Sequence, residues 1–266
     1  MADRVLFGFH AVTVRLKTAP ATVLEVHVDA MRRDGRMRQL VERANAAGVH
    51  VVESDAARLR ALARNDAHQG VAARVATLPA RHSLDDLLDD VVAEGDTPHV
   101  LALDGVTDPH NLGACLRVAD GAGVHAVVAP KDHAVGVNAT VVKVASGAAD
   151  TVPYLMVTNL ARTLGELKER DIAVVGTSDA ATRSLYELDL RGPVAFVLGA
   201  EGRGMRQLVA RSCDELVKVP MRGAVESLNV SVASGVCLYE AVRQRIAAAA
   251  GDSATAAVLD SGRAAG

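Results

Sequence analysis

With 266 residues, 50% of them hydrophobic and 23% charged, the chain has room for one large or two modest globular domains, and two are expected. Its net charge of −3 excludes a protein that coats nucleic acid over its whole surface, though not a local basic patch. No apolar run approaches the roughly 18 residues of a membrane helix, and Met1–Ala11 has no apolar segment behind a basic start, so a cytoplasmic location is expected.

With 2% aromatics and no Trp, the core must be built from Val, Leu and Ala, which suits a layered α/β protein. In the first part, residues 1–80, lysines and arginines outnumber acids. Leu24–Val28 and His50–Val52 read as strands, and Arg38–Ala47 and Ala56–Arg64 as helices. Between the first strand and helix, Arg32, Arg33, Arg36 and Arg38 flank Gly35. Such a loop either grips phosphates through guanidinium forks or is a solvated surface turn.

Residues 81–97 are acidic around an amphipathic Leu-Asp-Asp-Leu-Leu-Asp-Asp-Val-Val pattern and read as a linker helix or hinge. A second α/β domain, residues 98–250, follows. Its strands are expected at Val100–Leu103, His125–Val128, Ile172–Gly176, Ala195–Leu198 and Leu216–Val219, alternating with helices, which implies a mainly parallel sheet. One helix, Leu112–Ala122, follows the turn residues Asp108 and Pro109; the last, from Ser231 to about Ala249, carries Arg243 and Arg245 near its end. Residues 251–266 turn Gly-, Ser-, Asp- and Ala-rich and read as a disordered tail. The three cysteines, Cys115, Cys213 and Cys237, are widely spaced with no CxxC pair. Buried reduced thiols are expected, and no metal site.

Three segments carry chemistry. The first, Leu103–Arg117, is a strand end, a polar turn and a helix bearing Asn111 and Arg117. Six helical positions leave those side chains about 120° apart, so they meet at one site only if Asn111 sits at the cap. The second, Phe196–Met205, is a buried strand running into a loop with Gly199, Gly202 and Gly204. It fits neither the dinucleotide nor the P-loop fingerprint, and Glu201 in its middle disfavours phosphate and favours a cationic or neutral ligand. The third, Val219–Ala233, is a strand end, a polar loop and the long helix, with Ser227 or Asn229 available as its cap.

In this order the segments read N-x-x-A-x-x-R, L-G-x-E-G-x-G and P-M-x-G…S-L-N-V-S-V-A. They resemble the three motifs of the SpoU (TrmH) branch of the SPOUT superfamily of RNA ribose methyltransferases, over essentially Val100–Arg245. The front part, with Phe7-Gly8-Phe9-His10 near its start and His68-Gln69-Gly70 near its end, is similar to the substrate-binding domain of one rRNA-modifying branch.

The resemblance implies a SPOUT fold, a trefoil-knotted, mainly parallel sheet flanked by helices, with a small N-terminal α/β domain of the ribosomal-protein L30e type. It implies S-adenosylmethionine (AdoMet) as methyl donor, bound by Thr177, Gly199, Ala200, Val219, Met221 and Leu228, with catalytic positions at Asn111, Arg117, Glu201, Ser227 and Asn229. It also implies a homodimer through the knot and last helix, and 2′-O-methylation of a guanosine in 23S rRNA, in the P loop of the peptidyl-transferase centre. Competing readings are transfer-RNA ribose methylation, whose enzymes generally lack this front domain, and a non-catalytic RNA-binding or ribosome-assembly factor. A Rossmann oxidoreductase is disfavoured by the missing fingerprint.

Overall fold

The computed structural model describes residues 3–64, 66–76 and 83–263. It has two compact units, Met1–Arg81 with Ser146–Thr151, and His82–Ala145 with Val152–Gly266. The expected junction at residues 80–82 and the last three residues of the expected tail lie outside the described residues.

The first unit contains β1 (Asp3–Phe7), α1 (Phe9–Thr18), β2 (Val23–Asp29), α2 (Gly35–Ala46), β3 (His50–Ser54), α3 (Ala56–Ala63) and β4 (Val71–Ala76). Its sheet runs β1-β4-β2-β3, with β4 antiparallel to both neighbours and β2 parallel to β3. Phe9, Val12 and Leu16 of α1 and Met37, Leu40 and Ala44 of α2 pack on Val26, Val28, Val71 and Val75 of the sheet. Helix α2 starts at Gly35, earlier than the sequence suggests, because the Asp34 side chain accepts hydrogen bonds from the Arg36 and Met37 amides. The arginine loop is therefore partly helical. Arg32 and Arg36 lie over the Phe9 ring, 4.6 and 4.8 Å from its centroid, and Arg32 also donates to the Gln69 carbonyl at 2.6 Å.

The second unit begins with α4 (Leu84–Ala93), the acidic stretch. Ser83 caps it by accepting from the Asp86 amide, Asp85 and Asp86 sit at its dipole-favoured first turn, and Leu87, Leu88 and Val91 enter the core. The chain continues through β5 (His99–Asp104), α5 (Pro109–Gly121), β6 (Ala126–Pro130), α6 (Ala139–Ala145), the short α7 (Ala148–Thr151) that belongs to the first unit, and β7 (Tyr154–Val157). Then come α8 (Leu160–Glu169), β8 (Ala173–Thr177), β9 (Arg183–Ser184), β10 (Val194–Gly199), α9 (Gln207–Ser212), β11 (Glu215–Lys218) and α10 (Val230–Arg263).

The seven strands are all parallel, in the order β7-β6-β5-β10-β8-β11-β9. This bears out the mainly parallel α/β reading. Every residue of β5 and β6 is buried, as expected for central strands covered on both faces. Short β7 and β9 escape the sequence pattern: β7 is four residues long and only half-buried, and β9 has two residues. Helix α10 is assigned as far as Arg263, past the Gly251 at which the sequence suggests a tail; the alanines on either side of that glycine supply helix propensity.

Candidate active site

Because β8, β10 and β11 are parallel and adjacent, the loops at their carboxyl ends emerge side by side. They enclose a cavity of about 490 Å³, within the usual range for small-ligand sites. Its wall is formed by Thr177 to Ala180 after β8, by Leu198 to Met205 after β10, and by Val217 to Val219, Met221, Glu226 to Leu228, Val230 and Ala233. All six residues expected to hold the cofactor, Thr177, Gly199, Ala200, Val219, Met221 and Leu228, line this one space, with Glu201 and Ser227.

The loop after β10 is folded tightly. The Gly204 amide donates to the Ala200 carbonyl at 2.8 Å, and Gly202 and Gly204 have φ of 75° and 65°, where a side chain is strained. A β-carbon on Gly199 would stand 2.0 Å from the Gly204 carbonyl carbon and 2.2 Å from the Met205 nitrogen. Only glycine lets the loop close over the strand end.

Asn111 and Asn229 lie at the edge of the cavity, joined to it through Glu201. Asn229 Nδ2 donates to Asn111 Oδ1 at 2.9 Å and also to Glu201 Oε1. The same Glu201 oxygen faces Asn111 Nδ2 at 3.4 Å and the Val230 amide at 3.3 Å. One carboxylate oxygen thus ties all three motifs together. The Asn111 position differs from the cap that the spacing argument requires: Asp108 caps α5, accepting from the His110 amide with Pro109 at the first helical position, so Asn111 sits inside the first turn. At α10 the cap is Asn229, whose Oδ1 accepts from the Ser231 amide at 2.9 Å; Ser227 remains on the cavity wall.

Arg117 lies apart. It is exposed, nearly two turns along α5 from Asn111, outside the cavity wall of its own chain, and among the described residues no acid pairs with it. It neighbours Gly121, where a β-carbon would stand 2.8 Å from the Tyr239 hydroxyl of α10. Along α10, Val232, Tyr239 and Ile246 recur every seventh residue and are 51%, 49% and 65% exposed, an apolar stripe on that helix.

Two residues near the cavity escaped the sequence reading, Asp104 and Arg206; a buried acid at a strand end immediately before a glycine was the available signal. Cys115 and Cys237 are buried and Cys213 is half-buried. Burial pushes their thiols up to about 11, about 12 and about 11, so they are poor nucleophiles near neutrality.

A parallel sheet with a glycine-walled cavity of small-ligand size at the carboxyl ends of its strands defines an α/β domain of the ligand-binding kind, here without a dinucleotide fingerprint. Comparison with known proteins specifies it: the chain belongs to the SpoU rRNA methylase family, whose model matches residues 98–239, while a model for RNA 2′-O ribose methyltransferase substrate binding matches residues 5–80. The 23S rRNA (guanosine-2′-O-)-methyltransferase RlmB of Ralstonia nicotianae is 59% identical over 243 residues, 91% of this chain and 96% of its own. A crystal structure of an RNA 2′-O ribose methyltransferase superposes with a TM-score of 0.65 at 27% identity, covering 92% of this chain and 89% of the other. The SpoU methyltransferase AviRb of Streptomyces viridochromogenes, solved with the cofactor AdoMet, shares the fold with a TM-score of 0.67 at 23% identity, over 92% of this chain and 91% of its own. The family read from three short motifs is borne out.

Proposed function

We propose that this protein methylates the ribose 2′-oxygen of a guanosine in 23S rRNA, in the P loop of the peptidyl-transferase centre, with AdoMet as donor. The observation that carries the reading is the convergence of three loops on one cavity, tied by the Glu201 carboxylate to both asparagines. The 59% identity to a 23S rRNA guanosine methyltransferase over nearly the whole chain supports the substrate, and the match of residues 5–80 to a substrate-binding model favours it over transfer RNA. The intact set Asn111, Arg117, Glu201, Ser227 and Asn229 speaks against a non-catalytic assembly factor.

The cavity residues fit AdoMet. Leu198, Val219, Met221 and Leu228 offer apolar contact, Gly199 offers bare backbone, Thr177 and Ser227 offer hydroxyls, and Asp179 and Glu201 supply negative charge for a cationic ligand. Bound there, AdoMet supplies an electrophilic methyl together with its leaving group. The protein's task is then to place the ribose hydroxyl in line and ease loss of its proton. Glu201, Asn111 and Asn229 hold the loops in register, and Ser227, on the cavity wall, offers its hydroxyl to the ribose.

Arg117 reaches a site only from a second subunit, through a homodimer packed on the α5–α10 face where Val232 and Tyr239 are exposed. A guanidinium is not a base, because it stays protonated at any working pH. Its charge holds a neighbouring phosphate and lowers the cost of ionising the hydroxyl. The first unit, with Arg32, Arg33, Arg36 and Arg38, supplies RNA affinity and has the L30e type of fold, and the second forms the family's trefoil knot. The working location is the cytoplasm, as action on ribosomal RNA, the substrate named for its relatives, requires. Deleting the gene and mapping 2′-O-methyl groups across rRNA tests the reading: one guanosine of 23S rRNA should lose its methyl, and an unchanged map overturns it.

A further inference from the structure

Asp104 ends β5 in register with Gly199 of the neighbouring β10, and its side chain is 0% exposed. A carboxylate without solvent is costly unless its oxygens are bonded. Here all the partners come from one residue: the Arg206 amide donates to Oδ2 at 2.7 Å, Arg206 Nε donates to Oδ1 at 2.8 Å, and an Nη stands 2.6 Å from the same Oδ1 as its ion-pair partner.

Arg206 stands at the far end of the glycine loop. The segment from Ala200 to Met205, every residue of which lines the cavity, is therefore closed between Gly199 on the strand and an arginine held by the adjacent strand's acid. Neither Asp104 nor Arg206 lines the cavity itself. We infer that the Asp104–Arg206 pair is a positioning clamp that presets the cofactor loop before ligand arrives, so that binding does not have to order it. The inference deepens the AdoMet reading and rests on it. Prepaid loop order appears as affinity for the ligand the loop touches, and leaves affinity for RNA on the first unit untouched.

The test uses the full-length protein carrying Arg206→Ala, Arg206→Lys, Asp104→Asn or Asp104→Asn with Arg206→Ala. Arg206 has a half-exposed side chain, so its variants report even where Asp104→Asn fails to fold. AdoMet dissociation constants are measured by calorimetry, amide exchange of residues 200–206 without AdoMet by mass spectrometry, and KM for RNA and kcat at saturating AdoMet by methyl transfer. Arg206→Ala and Asp104→Asn should each bind AdoMet about tenfold more weakly and exchange loop amides faster, with the RNA KM within about twofold. The double variant should be little worse than the worse single one, as for two halves of one interaction. Arg206→Lys, which keeps the charge and loses the fork, should fall between Ala and wild type.

AdoMet affinity within about twofold of wild type in Arg206→Ala, or AdoMet affinity and RNA KM deteriorating in the same proportion, would overturn the clamp. Failure of the wild-type protein to bind AdoMet would sink the cofactor reading instead, and loop exchange would still decide the clamp.

Discussion

Gly199 is where the absence of a side chain is most strictly required. An added methyl would meet backbone rather than a movable side chain, 2.0 Å from the Gly204 carbonyl carbon, so the loop itself must shift. Overpacking of this kind costs roughly 1–3 kcal/mol or more. Gly199→Ala is therefore expected to weaken AdoMet binding at least about tenfold while the far-ultraviolet circular dichroism stays native. Calorimetric titration checks it, and unchanged affinity would mean that the loop is not the cavity wall in solution. Gly113 is constrained by packing instead: a β-carbon there would lie 2.7 Å from Val144 Cβ, at the contact between α5 and α6.

At the scale of elements, Asn229 does two things that substitution can separate. Its side-chain oxygen caps α10 and its nitrogen donates to Asn111 and Glu201. Asn229→Ser keeps a capping oxygen and loses the amide donor, so stability should hold within a few tenths of a kcal/mol while methyl transfer falls. Asn229→Ala should lose both, with about 1 kcal/mol of stability. Urea denaturation beside initial rates distinguishes the two; equal activity losses with equal stability losses would reduce the residue to a cap.

The opposite end of the sheet carries a different liability. Arg245 of α10 donates to the carbonyls of Thr97, Pro98 and Gly192, docking the helix beside His99 at the start of β5. Burial, then the Arg245 charge, then His125 push His99 from an ordinary 6.5 down to about 3. The unfolded chain takes up this proton below pH 6.5 and the folded chain does not until about pH 3, so stability falls as pH drops through that window. The slope from this residue is about 1.4 kcal/mol per pH unit. Denaturation at pH 7, 6 and 5 should show it and His99→Leu should flatten it; an unaltered slope in the variant would assign the acid sensitivity elsewhere.

For the whole molecule, the homodimer proposed above makes one quantity decisive: which chain's Arg117 serves which cavity. Arg117→Lys and Gly199→Ala should each abolish most methylation in homodimers. Co-expressed, they form mixed dimers in which one cavity is intact and faces an intact arginine from the other chain. Recovery of about a quarter of wild-type activity is expected for random pairing. No recovery would put the arginine to work in its own chain's site.

The sequence alone determined the class of fold, since continuous apolar runs alternating with amphipathic helices admit little but a parallel α/β sheet. It located β2, β3, β5, β6, β8, β10 and β11 to within about two residues, a usual error at element ends. Through the family resemblance its motifs carry, it also pointed to part of the cavity wall, since those motif residues are local to the ends of β8, β10 and β11. Tertiary structure decided what depends on partners distant in the chain. Asp108 rather than Asn111 caps α5; Asn229 meets Glu201 across 28 positions; and Asp104 finds Arg206 across 102, a pairing that no local pattern encodes. The chemistry of Arg117 could be read from its residue type, but its place at the exposed edge of α5 could not, because the register of α5 against α10 is set by side-chain packing between residues more than a hundred positions apart.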